Sequence, residues 1–589
     1  MMERKPTAAL EDTPVFHPLL LAMCPILGLY AYNVDNVPWT ILIRPLVAAV
    51  VVAEIVLLVL RLCLRDKHKA GIVTSALLLA LIWGWGLLET SISTALPYLQ
   101  ALGPLIVYGA VPVVALILAV LIFALYRENR RRALMNAGMF LVIALASALA
   151  VVLFLDRVFG TVASTFILVY LLLVGAIIAY LVRWKRDFKP WTRTGNWFGV
   201  ILIVLYLALI LFNAERKEVA SPPPLEVPVQ HASAAKDLPD IYLFVLDGYA
   251  RCDVLLKLYS YNDLPALESL QQLGMTFSSN AFSNYAWDLQ SAASFLNMDY
   301  LDRLLPPGAA DEQNVTPLIS LCKRNRFFQI LREHGYEIVA YSPGVQVLEP
   351  GPQVDRCLSP PHTLSEFEVV LLQNAASRRA IEMTCFAKDV DPRSWPLSFR
   401  RARIQYAFDN IGEIAAQDHA SPRLVFAHLT VPNVPFIFER KGGVADLRAG
   451  KPIEELYLDQ VHYTSKMLTS AVAQITGRAK RPSVILIVSS HGPGLLRAED
   501  ARDPAVLADR FGVLLGVRYP ETKTGEPAAT ETALSLVNTL RMVLNRILGA
   551  ELPMLEDTAY LTSQQQLLEG EPVTIPTLET AITPVLEDQ

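Results

Sequence analysis

Seven apolar stretches in the first 213 residues constrain the fold of this chain more than any other feature of its sequence. The chain has 589 residues, of which 53% are hydrophobic, and its mean hydropathy is +0.37. A helix needs about 20 apolar residues to cross the core of a bilayer. The pattern therefore predicts an N-terminal bundle of about seven transmembrane helices, or six if the short first or last stretch does not span. The stretches lie near 17–33, 40–60, 71–89, 104–126, 134–155, 161–182 and 197–213.

Basic residues orient these stretches. Basic clusters follow the second, fourth and sixth stretches, at 61–69, 127–132 and 183–193. Arg157 is the only basic residue in the intervening loops, 34–39, 90–103 and 156–160. Because cytoplasmic loops are enriched in Lys and Arg, the N-terminus is predicted in the cytoplasm and everything after residue 213 outside it. The sequence thus predicts a multi-pass protein of the plasma or inner membrane, with the lipid bilayer as a partner.

The composition changes sharply after the last apolar stretch. Residues 214–237 contain four prolines, which predict an extended linker between the transmembrane domain, 1–213, and an outer domain, 238–562. The remaining residues, 563–589, are acidic and contain proline, so we expect a disordered tail. The net charge of −5 and the isoelectric point near 6.1 give no indication of nucleic-acid binding.

The outer domain alternates strand-like and helix-like segments. Alternation of this kind predicts an α/β/α domain with a mostly parallel sheet. The strand-like runs are 241–246, 337–341, 423–430, 484–489 and 512–517, and the clearest helical patterns are 321–334, 454–477 and 531–548.

The first strand-like run ends in a carboxylate. Apolar residues 241–246 are followed by Asp247 and Gly248. A buried parallel strand would deliver Asp247 to the carboxyl edge of the sheet, where open α/β sheets place their binding sites. Asp247 is thus the first candidate site residue, although a structural role at the turn or a pairing with Arg251 would also account for it.

Four cysteines lie in the predicted outer domain: Cys252, Cys322, Cys357 and Cys385. An extracytoplasmic location permits disulfides, and four thiols allow three pairings. Free buried thiols remain an alternative that the sequence does not decide.

Three segments at predicted strand or helix ends resemble the sulfatase and alkaline phosphatase superfamily. They are Leu246-Asp247-Gly248, Ser283-Asn284-Tyr285-Ala286-Trp287-Asp288 and Ser489-Ser490-His491-Gly492. The closest likeness is to membrane-anchored envelope proteins, including lipoteichoic-acid-synthase-like and phosphoethanolamine-transferase-like enzymes. The resemblance covers roughly 238–560 and implies a divalent metal held by carboxylates and histidines, with a nucleophile at a helix N-terminus.

The resemblance also identifies departures from the family pattern. Asp247 and His491 match metal ligands, whereas Asp288 lies at the position of the Thr, Ser or Cys nucleophile, and Ser490 replaces a ligand carboxylate. Asn433 stands where the family usually has a substrate-side histidine, and His428 is the nearest histidine. No Cys-x-Pro-x-Arg motif occurs, which excludes formylglycine chemistry.

Two readings of the site follow from these residues. Asp247, Asp288 and His491 would supply three ligands for Mn²⁺, Mg²⁺, Ca²⁺ or Zn²⁺, with His428, Asn433 and Arg251 contacting substrate. Alternatively, Asp288 is a helix cap and the site holds no metal.

Two functions follow in turn. The first is a catalytically degenerate protein that binds phosphate or sulfate esters of envelope lipids or glycans. The second is an active metal-dependent hydrolase or transferase of such esters. A transporter whose outer domain is incidental is a third alternative, because the sequence alone does not assign a role to the helical bundle.

The alternation of loop charge yields a test of topology. Reporter fusions in the 127–132 loop and at residue 230 should lie on opposite sides of the membrane, because three apolar stretches separate them in the predicted order. Activities of a periplasm-specific and a cytoplasm-specific reporter would be compared at both sites. Both fusions on one side would contradict the predicted orientation.

Overall fold

The computed structural model describes thirteen segments of the chain. They are 13–34, 37–80, 161–184, 187–215, 222–225, 238–312, 314–361, 363–373, 394–447, 450–496, 500–520, 535–563 and 566–578. The chain divides into two compact units. The first contains 1–217 together with 367–390, and the second contains 218–366 and 391–589.

The first unit is helical in its described residues. Its helices are α1 (His17–Asn33), α2 (Ile43–Leu64), α3 (Lys67–Leu78), α4 (Thr161–Arg183) and α5 (Lys189–Glu215), with a 3₁₀ turn at Trp39–Leu42. Two helical stretches of 26 residues each, Trp39–Leu64 and Lys189–Ala214, are long and apolar enough to cross a membrane, and Tyr170–Arg183 is apolar but shorter. The stretches at 104–126 and 134–155, and residues 81–89 of the third stretch, lie outside the described residues, so seven spans remains a prediction.

Polar contacts join the helices of the first unit at the start of α1. The side chain of Asn196, on α5, accepts a hydrogen bond from the backbone N–H of His17 at 3.0 Å and donates one to the carbonyl of Pro14 at 2.7 Å. His17 in turn lies 2.6 Å from the hydroxyl of Ser75 on α3. These bonds satisfy backbone groups at a helix end, which otherwise lack intrahelical partners.

The second unit is built on a seven-stranded sheet. Its strands are β1 (Asp240–Asp247), β2 (Thr276–Phe277), β3 (Glu337–Tyr341), β4 (Arg356–Leu358), β5 (Arg423–Pro432), β6 (Ser483–Ser489) and β7 (Leu515–Arg518). Their spatial order is β2-β7-β6-β1-β5-β3-β4, in which β7 pairs antiparallel with both β2 and β6 and the remaining neighbours pair parallel. The mostly parallel sheet predicted from the sequence is confirmed.

Helices cover both faces of this sheet. The helices of the second unit, with the insertion helix α12 numbered in chain order, are α6 (Cys252–Tyr259), α7 (Leu264–Gln272), α8 (Asp288–Asn297), α9 (Leu301–Leu304), α10 (Thr316–Lys323), α11 (Arg326–Glu333), α12 (Glu366–Gln373), α13 (Ser394–Ala415), α14 (Ile453–Arg478), α15 (Pro504–Phe511) and α16 (Leu536–Leu548). From Phe367 onward α12 belongs to the first unit. There Phe367 packs in one cluster with Ile26 and Tyr30.

Alternation along the central strand separates two cores. Every residue of β1 is buried, which explains its nearly continuous apolar sequence. Even-numbered residues Tyr242, Phe244 and Leu246 pack with α6, α7, α13 and α14. Odd-numbered Ile241, Leu243 and Val245 pack with α8, α11 and α16. The unit is therefore an α/β/α sandwich with β1 at its centre.

Two local predictions differ from the structure. The helical pattern at 321–334 is broken into α10 and α11, because Asn325 caps α11 by accepting a hydrogen bond from the N–H of Phe328 at 2.8 Å. Part of the predicted disordered tail is ordered. Strand β9 (Glu571–Val573) pairs with β8 (Ala559–Leu561), and the N–H of Leu578 donates to Asp253 at 2.9 Å.

The cysteines within the described residues are free thiols. They include Cys252, Cys322 and Cys357 of the outer domain, whereas Cys385 lies outside the described residues. Of the alternatives left open by the sequence, the described part of the chain shows free thiols.

Asp263 makes the stability of the outer domain depend on pH. Its carboxylate accepts hydrogen bonds from Tyr249 at 2.7 Å and Ser465 at 3.3 Å, and only 1% of the residue is exposed. Burial raises the pKa of Asp263 to about 6, against the opposing effect of these hydrogen bonds. Between the unfolded pKa, about 3.9, and the folded one, the folded state binds more protons, so stability is greatest below about pH 4 and falls as the pH rises through about 6.

The substitution Asp263→Asn should remove this pH dependence, because a neutral amide imitates the protonated acid. We expect the wild type to lose about 3 kcal/mol relative to Asp263→Asn between pH 4 and pH 7. Thermal unfolding of both proteins in detergent, followed across that range, measures the difference. A constant difference between the two curves would show that Asp263 does not titrate as described.

Candidate functional site

The site lies where three central strands end on one face of the sheet. Asp247 is the last residue of β1, His428 lies on β5 opposite Val245, and Ser490 follows β6. Side chains alternate between faces along a strand. The register therefore directs all three toward the face covered by α8, α11 and α16. Parallel pairing places these strand ends at the same edge, as the sequence predicted for Asp247.

Two hydrogen bonds to one carboxylate oxygen join these three residues. Nε2 of His428 lies 3.0 Å from Oδ1 of Asp247, and the hydroxyl of Ser490 donates to the same oxygen at 2.6 Å. All three residues are buried, with 2% of Asp247, 4% of His428 and 2% of Ser490 exposed. Ser490 is thus a hydrogen-bond donor to the carboxylate of Asp247.

The electrostatics of the pair favour its charged form. Burial raises the pKa of Asp247, but the charge and hydrogen bond of His428, then the charge of His491 and the hydrogen bond of Ser490, hold that pKa below its usual value. Burial lowers the pKa of His428, but Asp247, through charge and hydrogen bond, and Asp288, through charge, raise it above its usual value. Asp247 and His428 therefore form a buried ion pair.

Asp288 is the first residue of α8. Its carboxylate accepts a hydrogen bond from the N–H of Leu289 at 2.8 Å, which satisfies a donor of the first helical turn. The helix is fixed to the strand edge by Ser291, whose hydroxyl donates to the carbonyl of Ser490. The preceding Trp287 is 48% exposed, so this end of the helix faces solvent. Asp288 thus bonds the first turn of its own helix, and its charge acts on His428.

His491 is held in one orientation. Its Nδ1 lies 2.6 Å from the carbonyl of Gly492, so Nδ1 carries the proton and Nε2 is the acceptor. The amide nitrogen of Asn433 lies 3.5 Å from that Nε2. The backbone of His491 also accepts from Gly248 at 3.1 Å, which binds the ends of β1 and β6 together. A backbone partner at Nδ1 is typical of metal-binding histidines.

Arg251 does not belong to the site. The sequence suggested that it contacts substrate or pairs with Asp247. Instead its guanidinium forms a bidentate ion pair with Asp253, at 2.6 and 2.8 Å, and donates to the carbonyls of Ala281 and Pro576, each at 2.9 Å. Only 3% of Arg251 is exposed. It therefore holds the ordered part of the C-terminal segment in place, and substrate contact by Arg251 stays a prediction that this ion pair does not support.

Sequence reasoning missed Arg400 and Arg403. Both lie in the first turns of α13, a helix that was not predicted. Arg403 donates to the hydroxyl of Ser342, just after β3, and to the carbonyl of Leu364 at 3.2 Å. The charges of Asp247, Glu366 and Asp288 act on Arg400. The sequence did contain a signal for these two residues. A helix that precedes a parallel strand runs antiparallel to that strand, so the arginine-rich N-terminal part of such a helix lies at the carboxyl edge of the sheet.

The described residues do not form a metal site. Divalent metals are held by several carboxylates or imidazoles, but Oδ1 of Asp247 accepts from His428 and Ser490, and Asp288 accepts from its own helix. Within the described part of the chain, no group of three or more His, Cys, Asp or Glu side chains converges as metal ligands would. Nε2 of His491 is oriented as a metal ligand should be, because Nδ1 is bonded to a backbone carbonyl.

Comparison with known proteins gave structural similarity alone. No family model matches the sequence, and no curated protein matches it. The C-terminal periplasmic domain of EcEptC from Escherichia coli, in a complex with Zn, is similar with 13% identity and a TM-score of 0.38, over 61% of this chain and 98% of that one.

Two other solved structures are similar at comparable levels. Lipooligosaccharide phosphoethanolamine transferase A (EptA) from Neisseria meningitidis, an integral membrane protein, matches 72% of this chain and 70% of its own, with 11% identity and a TM-score of 0.36. A protein of the alkaline phosphatase superfamily from Vibrio parahaemolyticus matches 56% and 72%, with 8% identity and a TM-score of 0.34.

The buried pair of Asp247 and His428 should be strongly coupled. Removing one partner of a buried ion pair leaves the other without compensation and costs about 3–5 kcal/mol. We expect that cost for Asp247→Asn and for His428→Gln, and a double variant less destabilised than the sum of the two. Chemical unfolding of the outer domain in the full-length protein measures all three.

A matched control is the exposed pair of Arg478 and Glu413, which lie 2.9 Å apart with side chains 50% and 69% exposed. Glu413→Gln should cost only about 0–1 kcal/mol. Additive effects at Asp247 and His428 would argue against a coupled pair.

Proposed function

We propose that this chain is a membrane-anchored, sulfatase-like protein of the alkaline phosphatase superfamily whose outer domain binds phosphate or sulfate esters of envelope lipids or glycans without cleaving them. The N-terminus would lie in the cytoplasm and the α/β/α domain outside it. The proposal rests on the motifs at the ends of β1 and β6, on the observed strand order and on the chemistry of the site.

One observation carries the non-catalytic part of this proposal. The carboxylate at the end of β1 is already neutralised by His428 and Ser490, at 3.0 and 2.6 Å. An ester hydrolase of this type needs a nucleophile whose pKa is lowered and an electrophilic cation that stabilises the developing charge. Here the helix N-terminus carries Asp288, a carboxylate, which repels an anionic ester.

Binding remains compatible with the same arrangement. The backbone donors at the start of α8 and the cations near the strand edge favour a negatively charged group. Trp287, half-exposed beside Asp288, offers an aromatic surface for the remainder of a lipid headgroup or sugar. An envelope ester is the ligand class that matches both the anion-binding chemistry and an extracytoplasmic domain.

An active metal-dependent hydrolase or transferase is the second candidate. The orientation of His491, with Nδ1 bonded to a backbone carbonyl and Nε2 available as an acceptor, favours it. In that case the ion pair of Asp247 and His428 would have to separate before a cation could bind, at a cost that the metal's affinity must offset.

Restoring the family residues distinguishes the two candidates. The double substitution Asp288→Thr with Ser490→Asp should raise the affinity for Zn²⁺ or Mn²⁺ by more than either single change, because it adds a ligand carboxylate and removes a competing charge. Calorimetric metal titration of the full-length protein measures this, with turnover of p-nitrophenyl phosphate and p-nitrophenyl sulfate followed in parallel.

The unmodified protein should show no metal-dependent turnover above that of Asp247→Ala. Thermal unfolding of each variant establishes that it is folded. Clear metal-dependent turnover that disappears in Asp247→Ala would overturn the non-catalytic proposal and support the second candidate.

A further inference from the structure

Helix α13 carries Arg400 to the edge of the sheet where the site lies. The hydroxyl of Tyr341, on β3, donates to Asn410 at 3.3 Å, and Tyr341 also contacts the ring of Tyr406. Arg403, further toward the start of the helix, bonds Ser342, the residue after β3. The helix thus runs antiparallel to β3. Arg400 lies almost one turn beyond Arg403, about 5 Å further along the axis.

Three carboxylates act electrostatically on Arg400, which agrees with its place at this edge of the sheet. Burial lowers the pKa of Arg400, and the charges of Asp247, Glu366 and Asp288 oppose that effect without cancelling it. Asp247 and Asp288 come from the two elements that define the site, β1 and α8. The guanidinium is therefore within electrostatic range of both.

Arg400 has no direct partner within the described residues. It makes no hydrogen bond and no ion pair there, whereas its neighbour Arg403 is bonded to Ser342 and Leu364. A guanidinium offers five donors in a planar fork that matches tetrahedral anions. A half-buried guanidinium that bonds no other side chain leaves these donors available to an anionic ligand.

A second polar group in this region also lacks a partner. The hydroxyl of Thr430 is buried, with 6% of the residue exposed, and makes no hydrogen bond within the described part of the chain. Thr430 lies two residues beyond His428 on β5, so strand alternation places it on the same face. Buried hydroxyls normally have a partner, so this one points to a ligand or water at the strand edge.

We propose that Arg400 binds the anionic group of the ligand directly, without a metal, and that the group carries a single negative charge, as in a sulfate ester or a phosphodiester. This inference rests on the binding function proposed above and specifies the chemistry of that site. Arg400 supplies the positive charge that a metal supplies elsewhere in the superfamily.

The preference for one charge follows from the carboxylates around Arg400. Of the three carboxylates, Asp247 acts most strongly on Arg400, but it is paired with His428, so the carboxylates near Arg400 that lack a histidine partner are Glu366 and Asp288. A monoanion would contact the guanidinium at hydrogen-bond distance, closer than either carboxylate, and would be attracted on balance. A dianion would make the same contacts with the guanidinium, but it would place a second negative charge near Asp288. Asp288 therefore acts as a specificity residue that discriminates against phosphate monoesters.

Calorimetric binding to the full-length protein in detergent with EDTA tests this inference. The probes are N-acetylglucosamine 6-sulfate, N-acetylglucosamine 6-phosphate and dihexanoyl phosphatidylglycerol at pH 8, where the phosphate monoester is doubly charged because its second pKa is about 6. The two sugars differ chiefly in charge, and the short-chain lipid presents a phosphodiester. Comparison of the sugar sulfate with the lipid distinguishes a glycan from a lipid source.

At least one monoanionic probe should bind in EDTA. Arg400→Gln should weaken that binding by about tenfold or more, since hydrogen bonds to charged groups contribute about 1.5–3 kcal/mol. Arg400→Lys should weaken it less, because the charge remains and the fork is lost. Arg401→Gln is the matched control, with the same charge change on the adjacent residue, and should bind like the wild type.

Asp288→Asn adds a readout that a merely structural role would not move. It should raise the affinity for the sugar phosphate toward that for the sugar sulfate. Arg400→Gln should unfold at the same temperature as the wild type or higher, because a half-buried cation without an ion pair does not stabilise the fold. If Arg400→Gln fails to fold, Arg400→Lys carries the test.

Each remaining outcome has a separate meaning. Binding in EDTA that is unchanged in Arg400→Gln and Arg400→Lys would overturn the role of Arg400 and leave the proposed binding function intact. Binding that requires added Zn²⁺ or Mn²⁺ would overturn metal-independent recognition. Failure of all three probes to bind, with or without metal, would overturn the proposed binding function itself.

Discussion

The buried ion pair between Asp247 and His428 determines what the rest of the site is able to do. A carboxylate at the carboxyl edge of a parallel sheet is costly to bury unless a cation or hydrogen bonds compensate it. In this chain the compensation comes from inside the protein, from a histidine on the adjacent strand and a serine at the end of the next one. A carboxylate compensated in this way has a lower affinity for an external cation.

The groups around this pair act on one another. Ser490 donates a hydrogen bond to Asp247. Asp288 places a negative charge at the helix N-terminus, where it accepts a hydrogen bond from its own helix and raises the pKa of His428. Arg400 lies on a helix from the opposite face, and its charge interacts with those of Asp247 and Asp288. Side-chain charges from both faces of the sheet therefore meet at this edge.

The scaffold that presents these charges is held together by apolar contacts. The buried apolar residues of β1 pack with helices on both faces of the sheet. Asp247, Ser490 and Asp288 lie at the ends of elements, outside those apolar clusters. The fold therefore presents the site but does not by itself assign its function, since fold and function are separable.

The sequence by itself determined the apolar N-terminal half, the alternation of strands and helices, and the delivery of Asp247 to a strand end, because these follow from local hydrophobic periodicity. It did not determine which side chains satisfy one another. His428 was assigned to substrate, Arg251 to the site and residues 571–578 to a disordered tail, whereas packing gave His428 to Asp247 and Arg251 to Asp253 and Pro576. Those choices belong to tertiary structure, because His428 and Asp247 lie 181 positions apart and Arg251 and Pro576 lie 325 positions apart, and local sequence carries no information about such contacts.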